Sequence, residues 1–193
     1  MSEKYIFKRE FNLEEKFLYV TSPASKSKNK FLQEENAIVN SYNKEIEDYD
    51  YISIITRKRY GIGTTIKVSC SFEKFGAPLI VLTDDYREKS DGSYEYGLHF
   101  EVVAYEGGYN VWHIEPGKKE NPIEVTKINS MEFSIEEKSR IDLEVRIEDK
   151  KLFISVNNKI LVAEHKDFPS MMHVGITACE GVNRFYEMEI LQE

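Results

Sequence analysis

Two His-x-Glu triplets are the clearest candidates for chemistry in this sequence. They lie in the stretch YGLHFEVVAYEGGYNVWHIEP, residues 96–116, as His99 with Glu101 and His113 with Glu115. An imidazole beside a carboxylate can transfer protons, and both groups can hydrogen-bond the hydroxyls of a sugar. Opposite charges across two strands also stabilise a solvated sheet face without any further role. The stretch therefore indicates an active site, a ligand-binding surface or a plain hairpin.

The pairing of the two strands in this stretch decides which side chains share a face. A three-residue loop, Glu106-Gly107-Gly108, pairs Tyr105 with Tyr109 and separates apolar from polar side chains. The apolar face then carries Leu98, Phe100, Val102, Trp112 and Ile114. The polar face carries His99, Glu101, His113 and Glu115, with Tyr105 and Tyr109 nearer the loop. A one-residue slip would move every side chain to the other face and would place Trp112 beside His99. We expect the three-residue loop, because it separates the apolar from the polar side chains where one face is buried.

The polar face is the predicted ligand-binding surface. Its six residues offer hydrogen-bonding groups and tyrosine rings on which a sugar can stack. An alternative is catalysis by Glu101 and Glu115, which would lie diagonally, roughly 7–8 Å apart at Cβ, and could reach a hydrolytic spacing. We predict no metal and no cofactor. The Pro-Cys-x-x-Cys that accompanies His-x-Glu in zinc deaminases is absent, and no glycine-rich phosphate loop precedes a helix.

The elements that must position these residues are predicted to be strands. From Ile141 to Glu148 apolar and charged residues alternate, and Asn157-Asn158 separates two further apolar runs as a tight turn. The remaining predicted strands are Tyr5–Phe11, Phe17–Thr21, Ala37–Tyr42, Tyr51–Thr56, Thr64–Glu73, Pro78–Thr83, Val174–Ala178 and Arg184–Leu191. Asn12 and Glu15 predict one helical turn, while 84–93 and 116–122 are polar and predict loops. Without helices to cover a sheet, the strands must pack on each other as a sandwich or barrel.

Three segments resemble the concanavalin A-like lectin and glucanase superfamily. TRKRYGIGTTIKVSCSF (56–72) is similar to its aromatic-Gly-x-Gly strand entry, DLEVRIEDKKLFISVNNKIL (142–161) to its late hairpin, and HVGITACEGVNRFYEMEIL (173–191) to its closing strand. The resemblance implies one domain over residues 1–193. Its fold would be all-β, a jelly-roll sandwich of two antiparallel sheets, of which one is concave and often binds sugar.

The resemblance also bears on activity. The Glu-x-Asp-x-x-Glu strand of the superfamily's glucanases is absent from this sequence. We therefore expect a non-catalytic, lectin-like domain that binds carbohydrate on the concave sheet. The alternatives are a glycoside hydrolase or other glycan-active enzyme with a different carboxylate pair, and a sandwich that binds another protein.

Composition excludes other classes of partner. The 193 residues include 26 basic and 34 acidic ones, a net charge of −8 that repels phosphate backbones and anionic membranes. We expect neither nucleic acid nor membrane as a partner, and the oligomeric state stays open. The amino terminus shows no hydrophobic signal region, which predicts a cytoplasmic protein. Cys70 and Cys179 both lie in apolar surroundings and are predicted to be free buried thiols.

Overall fold

The computed structural model describes residues 2–25, 29–40 and 51–192, and these residues form mainly strands. In chain order the elements begin with β1 (Ser2–Ile6), α1 (Leu13–Lys16), β2 (Phe17–Thr21), β3 (Leu32–Gln33), β4 (Ile38–Val39), β5 (Tyr51–Thr56), β6 (Tyr60–Gly61), β7 (Thr64–Glu73), β8 (Ala77–Thr83) and β9 (Tyr86–Glu88). They continue with β10 (Tyr94–Tyr96), β11 (His99–Tyr105), β12 (Gly108–Lys118), β13 (Asn121–Glu132), β14 (Ile141–Glu148), β15 (Lys151–Val156), β16 (Lys159–Glu164), β17 (Met171–Cys179) and β18 (Val182–Gln192). In the described part of the chain, no helix has the length and apolar character needed to cross a membrane.

The strands form two sheets packed face to face. The first sheet has the order β16-β15-β14-β7-β18-β4-β3, with β1 added on β18. The second has the order β13-β12-β11-β8-β17-β5-β2-β10-β9, with β6 added on β17. All described pairs are antiparallel except β10 with β2. The main core lies between the sheets, where Val68 and Phe185 of the first meet Phe100 and Ile176 of the second.

Strands with strict alternation follow the prediction closely. Along β14 the apolar residues are buried and the charged ones are exposed or half-buried. Asn157 and Asn158 have φ of 48° and 65° and join β15 to β16 as a two-residue turn, in the conformation that asparagine tolerates best. The Asn12 side chain caps α1 by accepting from the Glu15 N–H at 3.3 Å. Cys70 and Cys179 are both buried and do not form a disulfide, as predicted.

Other predicted boundaries are wrong. The strand predicted at Tyr5–Phe11 ends at Ile6. The one predicted at Ala37–Tyr42 is Ile38–Val39, and residues 41–42 lie outside the described residues. The predicted loop at 116–122 lies mostly within β12 and β13, and β13 itself was not predicted. Most side chains of β13 are exposed, so an alternating apolar pattern is missing there.

The predicted register of the β11–β12 hairpin is wrong by one residue. The turn is Glu106-Gly107, so Tyr105 pairs with Gly108, and Phe100 pairs with His113. Gly108 belongs to the paired part of β12 and not to the turn. Glycine is needed there because a Cβ would lie 2.0 Å from the Met131 carbonyl oxygen of β13. The slip moves Trp112 to the face of His99 and Glu101. His113 and Tyr109 move to the core face with Phe100 and Val102.

The segment predicted as a loop at 84–93 belongs to a hairpin that covers the second sheet. We call residues 86–96, which include β9 and β10, the cover hairpin. The chain enters this hairpin from β8 and leaves it into β11, and these two strands are neighbours in the sheet. However, β10 of the hairpin pairs with β2, which lies on the far side of β17 and β5. Its path must therefore cross the face of the second sheet that points away from the first, here called the outer face. The ring of Tyr86 lies 5.2 Å from that of His173 on β17, and the Tyr96 hydroxyl lies 2.7 Å from Ser53 Oγ on β5.

The cover hairpin creates a second, smaller core. Its buried members are Val20, Tyr51, Ile55, Leu79, Val81, Tyr96 and Cys179. All but Tyr96 come from β2, β5, β8 and β17 of the second sheet. The outer face of this sheet is therefore partly covered and apolar, rather than open and polar.

Candidate functional site

A buried polar cluster lies between the cover hairpin and the outer face. We call it the covered cluster, and its members are Tyr51, Ser53, Tyr96, His99, Glu101 and Thr177. The Tyr51 hydroxyl donates to Glu101 Oε1 at 2.6 Å, and His99 Nε2 lies 3.5 Å from the same oxygen. Ser53 Oγ lies 2.7 Å from the Tyr96 hydroxyl and 2.6 Å from Thr177 Oγ1.

Strand geometry brings His99 and Glu101 together. Residues two apart on β11 point to the same face, so both side chains lie on the outer face. Their exposures are only 1% and 5%, because Tyr96 of the cover hairpin stacks on the His99 ring at 4.6 Å. His99 Nδ1 lies 3.0 Å from the Gly97 carbonyl oxygen, which can only accept, so Nδ1 carries a proton. His99 Nε2 has no hydrogen-bond partner among the described residues and faces the Glu101 carboxylate.

The surroundings keep the Tyr96 hydroxyl neutral. Burial raises the pKa of Tyr96 far above its usual value; the bond to Ser53 opposes this and the Glu101 charge adds to it. A neutral tyrosine keeps its proton to donate, so the hydroxyls of Tyr51 and Tyr96 act as fixed hydrogen-bonding groups in this cluster. The cluster can therefore orient a carboxylate and an imidazole, but the cover hairpin separates both from solvent.

A cleft lies beside the covered cluster. This cleft of about 820 Å³ lies between β2, the cover hairpin and β5, a size typical of small-molecule sites. Tyr51 and Ser53 line it, so its inner wall consists of residues that hold the covered cluster. Tyr19 and Tyr94, both half-buried, line it as well.

Ion pairs occupy the glutamates that line this cleft. Glu14 pairs with Lys30, and Glu95 receives Arg87 at 2.5 Å and Lys89 at 3.3 Å. Lys30 holds the pKa of Glu14 below its ordinary value. Burial acts to raise the pKa of Glu95, but bonds from Arg87 and Lys89 outweigh it and the net shift is downward. Both carboxylates therefore stay ionised at neutral pH.

The residues predicted as the ligand surface do not converge. His99 and Glu101 lie beneath the cover hairpin, and Tyr105 is half-buried on the same sheet near the turn. His113 and Tyr109 are buried on the core side, where the Tyr109 hydroxyl donates to the Lys159 carbonyl at 3.1 Å.

Glu115 is exposed near the edge of the sheet. It follows Trp112, the partner of Glu101, by three positions and so points to the opposite face. The alternative catalytic pair, Glu101 with Glu115, therefore cannot flank one bond.

Sequence reasoning missed Tyr51, Ser53, Tyr94 and Tyr96. Tyr51 and Ser53 begin an otherwise apolar strand and show no pattern of their own. The signal that could have found the other two is the triplet Tyr94-Glu95-Tyr96, whose tyrosines share one face of a short strand.

No protein-family model and no curated protein sequence matches the chain. Solved structures do. The carbohydrate binding module CBM66 from Bacillus subtilis is 11% identical with a TM-score of 0.60, over 86% of this chain and 95% of that one. The GH16 protein of the Bacteroides ovatus mixed linkage glucan PUL, in complex with a G4G4G3G product, is 10% identical with a TM-score of 0.63, over 98% and 99%. A legume lectin-like domain from Entamoeba histolytica is 12% identical with a TM-score of 0.60, over 98% and 97%.

These likenesses confirm the fold that the three sequence segments resemble. The chain is a jelly-roll sandwich of the concanavalin A-like type. At identities this low, similarity of structure establishes the fold and not the activity.

Proposed function

We propose that this protein binds an oligosaccharide, without cleaving it, in the cleft between β2 and the cover hairpin. The observation that carries the proposal is the cleft itself. It has the volume of a ligand site, and the half-buried Tyr94 lines it together with Tyr51 and Ser53, which hold the covered cluster. A carbohydrate binding module and a lectin-like domain of the same fold lend support.

The cleft offers the two kinds of contact that sugars need. Tyr94 supplies an apolar ring face, on which the C–H face of a sugar can stack. Ser93 and Asn29, together with Asp91 at the turn of the cover hairpin, bring polar groups to the same lining. Since both glutamates of the lining are paired with lysines, an uncharged oligosaccharide fits better than a strongly charged one.

The carboxylates of the cleft favour binding over hydrolysis. A glycosidase needs two carboxyl groups on either side of the scissile bond, and its general acid needs a raised pKa. The pKa values of Glu14 and Glu95 are shifted downward, and both groups are engaged by basic side chains. Glu101 lies under the cover hairpin, away from its predicted partner.

The test combines binding and turnover on one panel of neutral oligosaccharides. A glycan array identifies a binder, and titration calorimetry measures its affinity for the wild type and two variants. Tyr94→Ala should weaken binding by about 2- to 12-fold, since an aromatic stacking contact contributes about 0.5–1.5 kcal/mol. Tyr105→Ala is the matched control, because this tyrosine is also half-buried on the second sheet but lies outside the cleft. It should leave the affinity unchanged.

Each other result argues against the proposal in a distinct way. If Tyr105→Ala weakens binding and Tyr94→Ala does not, the site lies on the β11–β12 hairpin. If reducing ends are released from the same sugars and Glu101→Gln stops the release, the protein is a glycoside hydrolase. If no sugar binds, the cleft is not a carbohydrate site.

A further inference from the structure

A second polar cluster lies on the core side of the second sheet, away from the cleft. It consists of His113 on β12 with His165 and Asp167 in the connection from β16 to β17. One donor atom from each residue can be chosen such that all three lie within 4.8 Å of one another. The rings of His113 and His165 are 4.3 Å apart, and His165 Nδ1 lies 3.8 Å from Asp167 Oδ2.

His113 is the unusual member of this cluster. It is only 5% exposed, and its Nε2 is buried without a hydrogen-bond partner among the described residues. Buried polar atoms in folded proteins nearly always have a partner, so this nitrogen calls for one. A neutral imidazole nitrogen has a lone pair that a metal ion can accept.

The other two donors are held in place by backbone contacts. The His165 N–H donates to the Lys150 carbonyl at 3.2 Å, and the Lys150 ammonium donates to the Lys166 carbonyl at 3.0 Å. The Asp167 N–H lies 3.3 Å from His165 Nδ1, a contact that fixes the turn between the two residues. The Asp167 carboxylate is exposed and can rotate freely.

Apolar rings surround the imidazoles. Phe100 stacks on His113 at 4.9 Å, and Phe168 lies 4.4 Å from Phe100 and 5.9 Å from His165. Such surroundings fix the ring orientations and exclude water from one side, as the hydrophobic shell of a metal site does.

We propose that His113, His165 and Asp167 bind a divalent transition-metal ion of the zinc class. Two imidazoles and one carboxylate are a common zinc donor set, whereas Ca²⁺ and Mg²⁺ prefer oxygen alone. Tetrahedral zinc with ligands at about 2.0–2.1 Å holds its donors roughly 3.3 Å apart. The donors lie within 4.8 Å of one another, and the exposed Asp167 carboxylate can turn toward the two imidazoles to approach that spacing. Three protein ligands leave one position for water or another ligand.

The proposal is tested on the full chain after treatment with a chelator. Zn²⁺ is titrated against a chromophoric indicator, and Co²⁺ is added separately to look for the visible absorption of a tetrahedral site. The wild type should bind one Zn²⁺ per chain. Replacing a residue that only hydrogen-bonds a metal ligand weakens metal binding by about 10- to 100-fold. The loss of a ligand itself, in His165→Ala or Asp167→Asn, should weaken binding by at least that much. Asp142→Asn, another exposed aspartate but on β14, should have no effect.

The half-buried His165 and the exposed Asp167 belong to a short connection between strands, and circular dichroism checks that both variants fold. The absence of zinc binding by the wild type overturns the proposal. Equal binding by the wild type and a His165→Ala, Asp167→Asn double variant also overturns it, since the ion would then sit elsewhere. The cleft contains none of these residues, so failure here is distinct from failure of the proposed sugar site.

Discussion

The hydrogen bond from Tyr51 to Glu101 offers the sharpest test of how the cover hairpin closes the outer face. Tyr51→Phe removes only the hydroxyl that donates to Glu101 Oε1 at 2.6 Å. Both side chains are at least nine-tenths buried, so water cannot easily replace the lost donor. A hydrogen bond to a charged group contributes about 1.5–3 kcal/mol to stability, and we expect Tyr51→Phe to reduce the free energy of unfolding by that amount.

Tyr96→Phe is the matched control. It also removes one buried tyrosine hydroxyl, but that hydroxyl bonds to the neutral Ser53, which keeps its contact with Thr177. A neutral hydrogen bond contributes about 0.5–1.5 kcal/mol, so this variant should be less destabilised than Tyr51→Phe. The difference between the two variants measures the effect of the buried charge.

A double-mutant cycle isolates the pair. Glu101→Gln keeps an oxygen that can accept from Tyr51 and adds an amide that can donate to the unpartnered Nε2 of His99. In the Glu101→Gln background, Tyr51→Phe should reduce the free energy of unfolding by only about 0.5–1.5 kcal/mol, as expected for a hydrogen bond between neutral groups. The coupling between the two positions should therefore be roughly 1 kcal/mol or more.

Urea denaturation followed by circular dichroism gives each free energy. The midpoint should shift while the slope m stays constant, because the change is in native contacts and not in the surface exposed on unfolding. A loss below about 0.5 kcal/mol in Tyr51→Phe, or an equal loss in the Glu101→Gln background, would show that this hydrogen bond is not a buried bond to a charge. Glu101 would then be solvated, and the cover hairpin would not close over it.

Two further predictions concern buried titratable groups. Cys70 and Cys179 should react with thiol reagents only as the protein unfolds, since both are buried and burial raises the pKa of Cys70; rapid labelling in native buffer would contradict this. Burial lowers the pKa of His113 and His173 from 6.5, so their contribution to stability is present above about pH 6.5 and is lost as the pH falls through the lowered values. The urea concentration at the unfolding midpoint should fall as the pH is lowered from 7 to about 5, and it should fall less steeply in His173→Gln. An equally steep fall in that variant would show that His173 does not contribute to the pH dependence.

The sequence predicts the strands of this fold better than it predicts their contacts. Alternation along β14 and the Asn157-Asn158 turn are local signals, and the structure keeps both. The β11–β12 register is not local. The close approach of β13 sets the position of Gly108, and β13 lacks a pattern that would reveal it.

The covered cluster is less predictable still. Its members come from β5, β10, β11 and β17, which no spacing along the chain relates. They meet only because the cover hairpin crosses two strands before it pairs with β2. His99 and Glu101 share a face as predicted, but the cover hairpin buries that face. Their contacts are therefore with Tyr51 and Tyr96.

The apolar runs of the central strands explain why such a hairpin is needed. In a two-layer sandwich each sheet buries one face, and its strands alternate, as β14 does. All six residues of β5 are buried, as are six of seven in β8 and eight of nine in β17. Strands buried on both faces read as continuous apolar runs, and YISIIT and PLIVLT are such runs.

A second covering layer is therefore implied by the sequence, although its identity is not. Without it, Ile55, Leu79 and Val81 would form an exposed apolar patch on the outer face. The segment that supplies this layer looks like a polar loop, because only Tyr86, Tyr94 and Tyr96 carry the contact. The hairpin covers the centre of the face, and the cleft lies beside β2, where β10 joins the sheet. We therefore propose the cleft, and not the β11–β12 hairpin, as the sugar site.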